Sequence, residues 1–405
     1  MATAVAIYKG RDFFVPAFDI KLGGLDLPVT PSHDILEVKY SDNIDQFDTF
    51  EMTVNNWDAQ QEDFKYTGSR WGSRSDPNLN ARYDLFDPGK TVEVWMGYFK
   101  PLSPELAQAQ SSSLRLMLVG TILSLTPSFP AGGQPTLKIS GKNVLQKLIT
   151  KQETKTYVQM KASAIAHQVA KRGNLKIDNF TLDVRTDPSA ESIEPTIEYV
   201  IQKSQYDILF LYQLAHKHGY DVFLRTDNSA STPKQYLFFG PSTAQPSNPY
   251  LIEWGKSLIQ FQPTLTTAKQ VNQLTVHGWN PLKKKPIEVT VGWKDLKTRG
   301  LQDPQKMNRI LDGFKQREDI IVDQPFHTEQ EAKSFALDKL SRLAKDLVSG
   351  KGTTLGTPDL RAGTYIQLDG LGATFNGPYF VVSTTHSISN SGYVTEFDAR
   401  MEVRN

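Results

Sequence analysis

The stretch SQYDILFLYQLAHKHGYDVFL (204–224) crowds Asp207, Tyr212, His216 and His218 into one short run. Residues of these types can ligate a metal or relay protons. Their spacing argues against both roles. On a helix, His216 and His218 diverge by roughly 200°, so they cannot share an ion, and no third ligand stands beside them. Local pattern gives the run a different meaning. Ser204 followed by Asp207 has capping-box form. Ile208, Leu211 and Leu214–Ala215 recur at helical spacing, Lys217 and His218 suit the carbonyl end of the helix dipole, and Gly219 suits a left-handed cap. DVFLR then predicts a strand, and QYLFFG (235–240) its hairpin partner.

Other chemistry is equally hard to assemble. GPSTAQ (240–245) lacks the spacing of a nucleophile elbow. GGQPTLKISGKN (132–143) holds a Gly-Lys pair without the earlier glycine of a phosphate loop. The seven histidines (His33, His167, His216, His218, His277, His327 and His386) show no metal-ligating pair. Spacing singles out no pair of carboxylates for glycoside hydrolysis. EQE (329–331) reads as helix-start charge, and KKK (283–285) as a solvated turn before Pro286. No catalytic residue, metal ligand or cofactor site is therefore assigned, and the chain is expected to be no enzyme.

Composition narrows the classes further. The 405 residues suit two or three domains. Lysine and arginine number 45 against 44 acids, which gives no support to a nucleic-acid partner. There is no cysteine, so disulfides and thiolate chemistry are excluded. The N-terminal residues lack the apolar core of a signal peptide, and no run approaches the roughly 18 apolar residues of a membrane span. The expectation is a soluble protein made in the cytoplasm.

The order of elements reads β, then α, then β with an embedded helix. DILEVKYS (34–41) and FDTFEMTVNN (47–56) alternate as half-buried antiparallel strands do. Residues 57–84 and 100–113 read as polar surface loops around the strand TVEVWMGYF (91–99). LRLMLVGTILSLTPSF (114–129) and PTLKISGK (135–142) pair around the turn PAGGQ. KASAIAHQVAKRG (161–173) carries Ala162, Ile165, Ala166 and Val169 on one helical face. Thr328 and Glu331 form a capping box before the stripe Ala332, Ala336, Leu340, Leu343 and Leu347. Three glycine-bounded strands close the chain, and Gly363, Gly370, Gly377 and Gly392 include turns that need positive φ. The fold class expected is β-rich α+β, with two tube-like antiparallel β-barrel domains that look like distant repeats. Their bounds are 1–150 and 246–405, the second with an embedded helix over 329–348, and residues 151–245 form the α/β connection.

Taken in order, several blocks resemble the phage late-control protein D family, the hub proteins of contractile tails and the hub part of VgrG spikes in type VI secretion. After the cap residue Ser204, the matching residues are Asp207, Phe210, Leu211, Leu214, Ala215, Gly219 and Tyr220. VGTILSLTPSF (119–129) resembles the family's glycine-containing strand through Gly120, and LTVHGWNP (274–281) its turn through Gly278 and Pro281. The closing block, residues 357–399, is similar through Gly363, Gly377, Tyr379, His386, Gly392 and Tyr393.

The resemblance implies a structural baseplate hub: a homotrimer with pseudo-sixfold symmetry that adapts a hexameric inner tube to a separate trimeric spike. Its implied partners are the inner tube protein, the spike, other baseplate proteins and a tape-measure protein or cargo. It implies assembly into a phage tail or tail-like injection particle and no cofactor. Two other readings compete: a cell-wall-degrading tail enzyme, and a carbohydrate-binding adhesin using Trp57, Trp71 and Trp95.

Overall fold

The computed structural model describes residues 4–402 except 8–12, 14, 69–83, 100–113, 173–175, 178–179, 182, 228–233, 243–249, 269, 281–282, 300–316, 323–325 and 327. The first β region contains β1 (Val5–Ala6), β2 (Pro16–Leu22), β3 (Leu25–Asp26), the short helix α1 (Val29–His33), β4 (Ile35–Asn43) and β5 (Thr49–Asn55). It continues through β6 (Trp57–Asp58), β7 (Asp63–Phe64), β8 (Thr91–Tyr98), β9 (Arg115–Ser128) and β10 (Thr136–Asn143). Alternation is obeyed closely: Phe50, Met52 and Val54 of β5 are buried, while Thr49, Glu51 and Thr53 between them are half-buried. The surface loop expected from residue 57 needs correcting. β6 and β7 pair, and Tyr66 is buried and donates to Asp34 Oδ2 at 2.6 Å. The loop at 100–113 lies outside the described residues.

The central section holds β11 (Gln152–Met160), helix α2 (Ala162–Lys171), β12 (Lys176–Ile177), β13 (Phe180–Thr181), β14 (Asp183–Arg185) and α3 (Pro188–Ile193). After these come β15 (Ile197–Tyr206), α4 (Asp207–Lys217), β16 (Asp221–Asp227) and β17 (Lys234–Gly240). The stripe Ala162, Ile165, Ala166 and Val169 is fully buried, against Ile208, Leu211, Leu214 and Ala215 of α4. β16 and β17 form the expected hairpin.

The start of α4 departs from the capping-box expectation. Ser204 belongs to β15, with φ +46°, and its N–H donates to Thr154 Oγ1 on β11 at 3.1 Å. The cap is Tyr206, which makes no side-chain bond, and Asp207 turns inward to accept from Gln202 Nε2 at 2.7 Å. Strand pairing with β11 has overridden the local capping preference. The other end behaves as expected: Gly219 has φ +67°, and Tyr220 N–H donates to the Ala215 carbonyl at 2.9 Å, a Schellman closure.

The last region contains β18 (Tyr250–Glu253), β19 (Leu258–Leu265), β20 (Gln273–Asn280), β21 (Lys285–Gly292), β22 (Glu318–Ile321) and α5 (Glu329–Lys345). β23 (Val348–Leu355), β24 (Tyr365–Asp369), α6 (Gly372–Phe375), β25 (Gly377–Ser389) and β26 (Gly392–Met401) complete it. Thr328 caps α5 by accepting from Glu331 N–H at 3.1 Å. The helix stops at Lys345, short of 348, because the chain from Val348 is a strand, paired with β19 from Val348 and with β26 from Ser349. Gly363, Gly370, Gly377 and Gly392 have φ of +79°, +81°, +151° and +111°. Gly363 is needed twice over, since a Cβ there would lie 2.3 Å from the Phe223 ring.

The expected pair of closed barrels is overturned. Fourteen strands form one sheet whose main path runs β1-β18-β24-β25-β4-β5-β10-β9-β8-β2-β3, with β26, β23 and β19 branching from β25. No sheet among the described residues closes on itself. Each β region instead covers an edge of the other, because β4 pairs antiparallel with β25 from Ser383↔Asn43 to Ser389↔Glu37. Alternating strands and glycine turns appear in either arrangement, so the pattern could not separate closure from cross-region pairing. Among the described residues no helix is long and apolar enough to cross a membrane.

Leu211 and Leu214 sit in the α2–α4 core at 0% and 3% exposure. Leu211→Ala or Leu214→Ala is expected to lower stability by about 2–5 kcal/mol in urea unfolding, as buried leucine truncations do. Either variant unfolding with the wild-type midpoint would remove α4 as a packing element.

Candidate functional site

Side chains at the junction of the two β regions form a buried polar seam. Parity along β4 turns Val38, Tyr40 and Asp42 inward, so an acid occupies a core-facing position. Arg361, in the loop before β24, meets it with Nε 2.7 Å from Asp42 Oδ2. The Ala362 and Thr384 N–H groups each donate to Asp42 at 3.2 Å, and the Thr384 hydroxyl bonds it as well. The Arg361 guanidinium also donates to the Tyr40 hydroxyl and to the Met117 carbonyl, and lies over the Tyr40 ring. One ion pair thus joins β4, β9, β25 and the 361 loop.

His386 lies next to this pair on β25 and is fully buried. Its Nε2 is 2.9 Å from the Leu360 carbonyl, which only accepts, so the proton sits on Nε2. Nδ1 then accepts from Tyr393 at 2.9 Å and from Thr395 at 3.1 Å. Burial pushes the imidazole down to about 4, with Arg361 in the same direction, against the attraction of Asp42 and the bond to Leu360. A neutral histidine bonded on both ring nitrogens braces the sheet and has no free position for proton transfer.

A second buried cluster ties β26 to α5 and the central section. Glu402 accepts from Arg400 Nε, Ser242 Oγ and the Tyr365 hydroxyl, each at 2.7 Å, with Lys345 Nζ at 3.6 Å. Arg400 reaches Asp221 at 3.5 Å. Burial opposes the Glu402 charge, yet Lys345 and Arg400 with the two hydroxyls hold its carboxyl at about 2.

The residues singled out by sequence do not converge on one place. Phe210 stacks on Tyr157 at 5.7 Å, and Tyr220 meets the Phe239 edge at 5.6 Å. Leu211 and Leu214 belong to the same apolar cluster as Phe210. Gly120 on β9 lets the Lys142 carbonyl approach, since a Cβ would lie 2.2 Å from it, and Gly278 on β20 abuts Phe326. Gly377 and Gly392 start β25 and β26. The Tyr379 hydroxyl donates to the Phe375 carbonyl at 2.9 Å. His386 and Tyr393 hydrogen-bond each other. Pro281 and Trp71 lie outside the described residues. Trp57 packs against Phe64 at 5.6 Å, and Trp95 donates to Glu93 at 3.2 Å. His216 pairs with Asp45 at 3.1 Å, and no metal-ligating group of three side chains occurs among the described residues.

The seam residues Asp42, Arg361, Arg400 and Glu402 were missed by spacing. Asp42 carried a signal, because it continues the inward parity of Val38 and Tyr40. Outward, the chain offers strand edges and sheet faces. β11 and β15 pair only with each other among the described strands and expose Val158, Tyr199 and Ile201. Gln260, Gln262, Lys351, Thr385, Glu396 and Asp398 line a shallow polar concavity of about 350 Å³ on one face of the large sheet. Such geometry suits holding neighbours through main-chain and surface contacts.

A family model described as Alg8 N-terminal domain matches residues 15–390. No curated protein sequence matches the chain. The fold is similar to that of the prophage MuSo2 43 kDa tail protein from Shewanella oneidensis, at 13% identity and a TM-score of 0.62, covering 96% of this chain and 98% of that one. A tail protein from Neisseria meningitidis MC58 matches at 13% identity and a TM-score of 0.63, with 96% and 97% covered. An E. coli component of the type VI secretion system, described as structurally similar to the T4 bacteriophage tail proteins gp27 and gp5, matches at 12% and a TM-score of 0.53, with 95% and 79% covered. The chain therefore has the fold shared by phage tail proteins and this secretion component.

Arg361→Met would leave Asp42 buried without its cation, so a loss of about 3–5 kcal/mol is expected in chemical unfolding. Adding Asp42→Asn should recover part of it, and strictly additive losses would show that the two groups are not coupled. Folded His386 takes its proton only near 4, whereas the unfolded imidazole takes it near 6.5. Its contribution to stability is therefore complete above 6.5 and is lost as pH falls from there toward 4. A histidine NMR titration should place the His386 midpoint near 4, and an ordinary midpoint near 6.5 would contradict the buried neutral tautomer.

Proposed function

The chain belongs to the Alg8 N-terminal domain family, and on that premise we propose that it is a structural hub of a contractile tail or tail-like injection apparatus, joining an inner tube to a spike. The observation that carries the reading is the extent of the likeness: the fold runs end to end with two phage tail proteins, covering at least 96% of each chain compared. The E. coli protein of similar fold is a component of the type VI secretion system and is described as structurally similar to T4 tail proteins. The proposed role is structural, in keeping with two buried polar clusters that join elements of the fold.

The finer form of the proposal is a homotrimer. Three copies would supply six β regions around one axis, so that one face meets a sixfold tube and the other a threefold spike. This no longer needs closed barrels, because each β region here is completed by its neighbour in the same sheet. Open edges such as those of β11 and β15 suit edge-to-edge contacts between copies. The division near residues 150 and 245 stays part of this reading. It is supported by apolar clusters centred on the first β region, on the α/β connection and on the last region. The partners expected are the tube protein, a separate spike, other baseplate proteins and a tape-measure protein or cargo.

Removing the gene should leave tubes without attached spikes in electron micrographs, and particles assembled normally without it would end the hub reading. Light scattering should give a mass near three times 45.5 kDa for the purified chain alone or, once the spike's mass is subtracted, for its complex with the spike. A monomer in both cases would rule out the trimer.

A further inference from the structure

The turn between β4 and β5, residues 44–48, is inserted into a three-way junction. Ile44 packs with Phe223 and Phe238 of the central section and with Ala362, Tyr365 and Phe380 of the last region. Phe47 lies 6.1 Å from the Tyr212 ring of α4, and Asp45 pairs with His216 at the end of that helix. Asp48, at the base of the turn, is 3% exposed. Its carboxyl accepts from the Tyr40 hydroxyl at 3.3 Å, and Tyr40 is also held by Arg361.

The charges around this turn do not balance. The Glu402 cluster contains two cations, Lys345 and Arg400, and two carboxylates, Glu402 and Asp221. The Arg361 cluster contains one cation and two carboxylates, and Asp42 holds that cation at 2.7 Å with two backbone N–H groups and a hydroxyl. Asp48 is left with neutral partners, a long bond from the Tyr40 hydroxyl and the Asn143 side chain. An ionised carboxylate so placed is a buried charge without its own counter-ion.

We propose that the β4–β5 turn is a proton-operated joint: with Asp48 protonated, the turn stays seated between α4 and the Arg361 loop, and loss of that proton to solvent loosens the seat. Burial, then the charge of Asp42, pushes the Asp48 carboxyl up to about 7, while Arg361, the Asn143 side chain and Tyr40 pull it back only in part. The groups that face it are Tyr40 and Asp42 from β4, Asn143 from the end of β10, Arg361 from its loop and Tyr212 from α4. Asp45 and His216 lie on the far side of the turn, the Lys142 ammonium sits over the Phe47 ring, and neutral His386 lies behind Asp42 and Arg361. The folded carboxyl binds its proton more tightly than the unfolded one. The stabilisation is therefore complete below about 3.8 and is lost as pH rises through about 7. This trend is opposite to that of His386 and extends to a higher pH.

The test compares the full-length chain with Asp48→Asn, which keeps the shape of the protonated acid and removes its titration. Thermal midpoints are followed from pH 5 to 9. The variant's advantage over wild type should grow from pH 5 and level off above about 7, and an advantage of constant size across the range would overturn the proposal. If the variant does not fold, carbon NMR of labelled aspartate carboxyls in the wild-type chain decides the matter. One carboxyl titrating near 7 whose resonance persists in the Asp42→Asn spectrum supports the joint; a near-neutral resonance that vanishes with Asp42, or all aspartates titrating below about 5, overturns it. Neither readout depends on hub activity, so the joint and the hub reading fail separately.

Discussion

Strand β25 is thirteen residues long, and that length sets the constraint on which the sheet depends. The first part of one edge pairs with β24, the second part of the same edge pairs with β4, and the opposite edge carries β26. A bulge between Val381 and Ser383 separates the two parts and lets the strand bend where it passes from one region to the other. Asp42 is bound at that crossing, accepting from Thr384 just beyond the bulge and from Arg361 across it. Loss of this crossing would free an edge on each region, which is why the polar groups concentrate there.

The two buried clusters do different mechanical work. Glu402 is matched by cations and hydroxyls, so α5, β24 and β26 are fixed relative to one another over the pH range in which proteins fold. The Arg361 cluster carries an excess carboxylate beside a junction of the first, central and last regions. Buried ion pairs add little net stability over apolar packing, but breaking one is severe, so they specify geometry more than they add strength. That suits a part whose proposed task is to hold neighbours in register.

Helices and strands were legible where their periodicity was unbroken. The stripe Ala162, Ile165, Ala166 and Val169 is buried as read, and the β16–β17 hairpin and the Thr328 cap stand where expected. Ser204 shows the limit of such reading. Its type and spacing fit a helix cap, yet hydrogen bonds to Thr154, fifty residues away, keep it in a strand. Barrel closure was misread for the same reason, because the partner of β4 lies more than three hundred residues along the chain. The order of strands in a sheet is a long-range property to which local alternation is blind. Asp42 was half-legible: parity turned it inward, but nothing near it in sequence supplied Arg361.

The dispersal of the sequence-selected residues is itself informative. A catalytic constellation requires side chains to converge on one reacting atom. Here Gly120, Gly278 and Gly363 each admit a different neighbour, a carbonyl, Phe326 and Phe223, and Phe210 and Tyr220 pack into one helix–sheet core. What these positions share is the spacing between elements. If they are altered, helices and strands shift against each other and the outward edges shift with them. A chain whose distinctive residues all control the relative placement of its parts is constrained by its outer shape, which is the property an assembly partner reads.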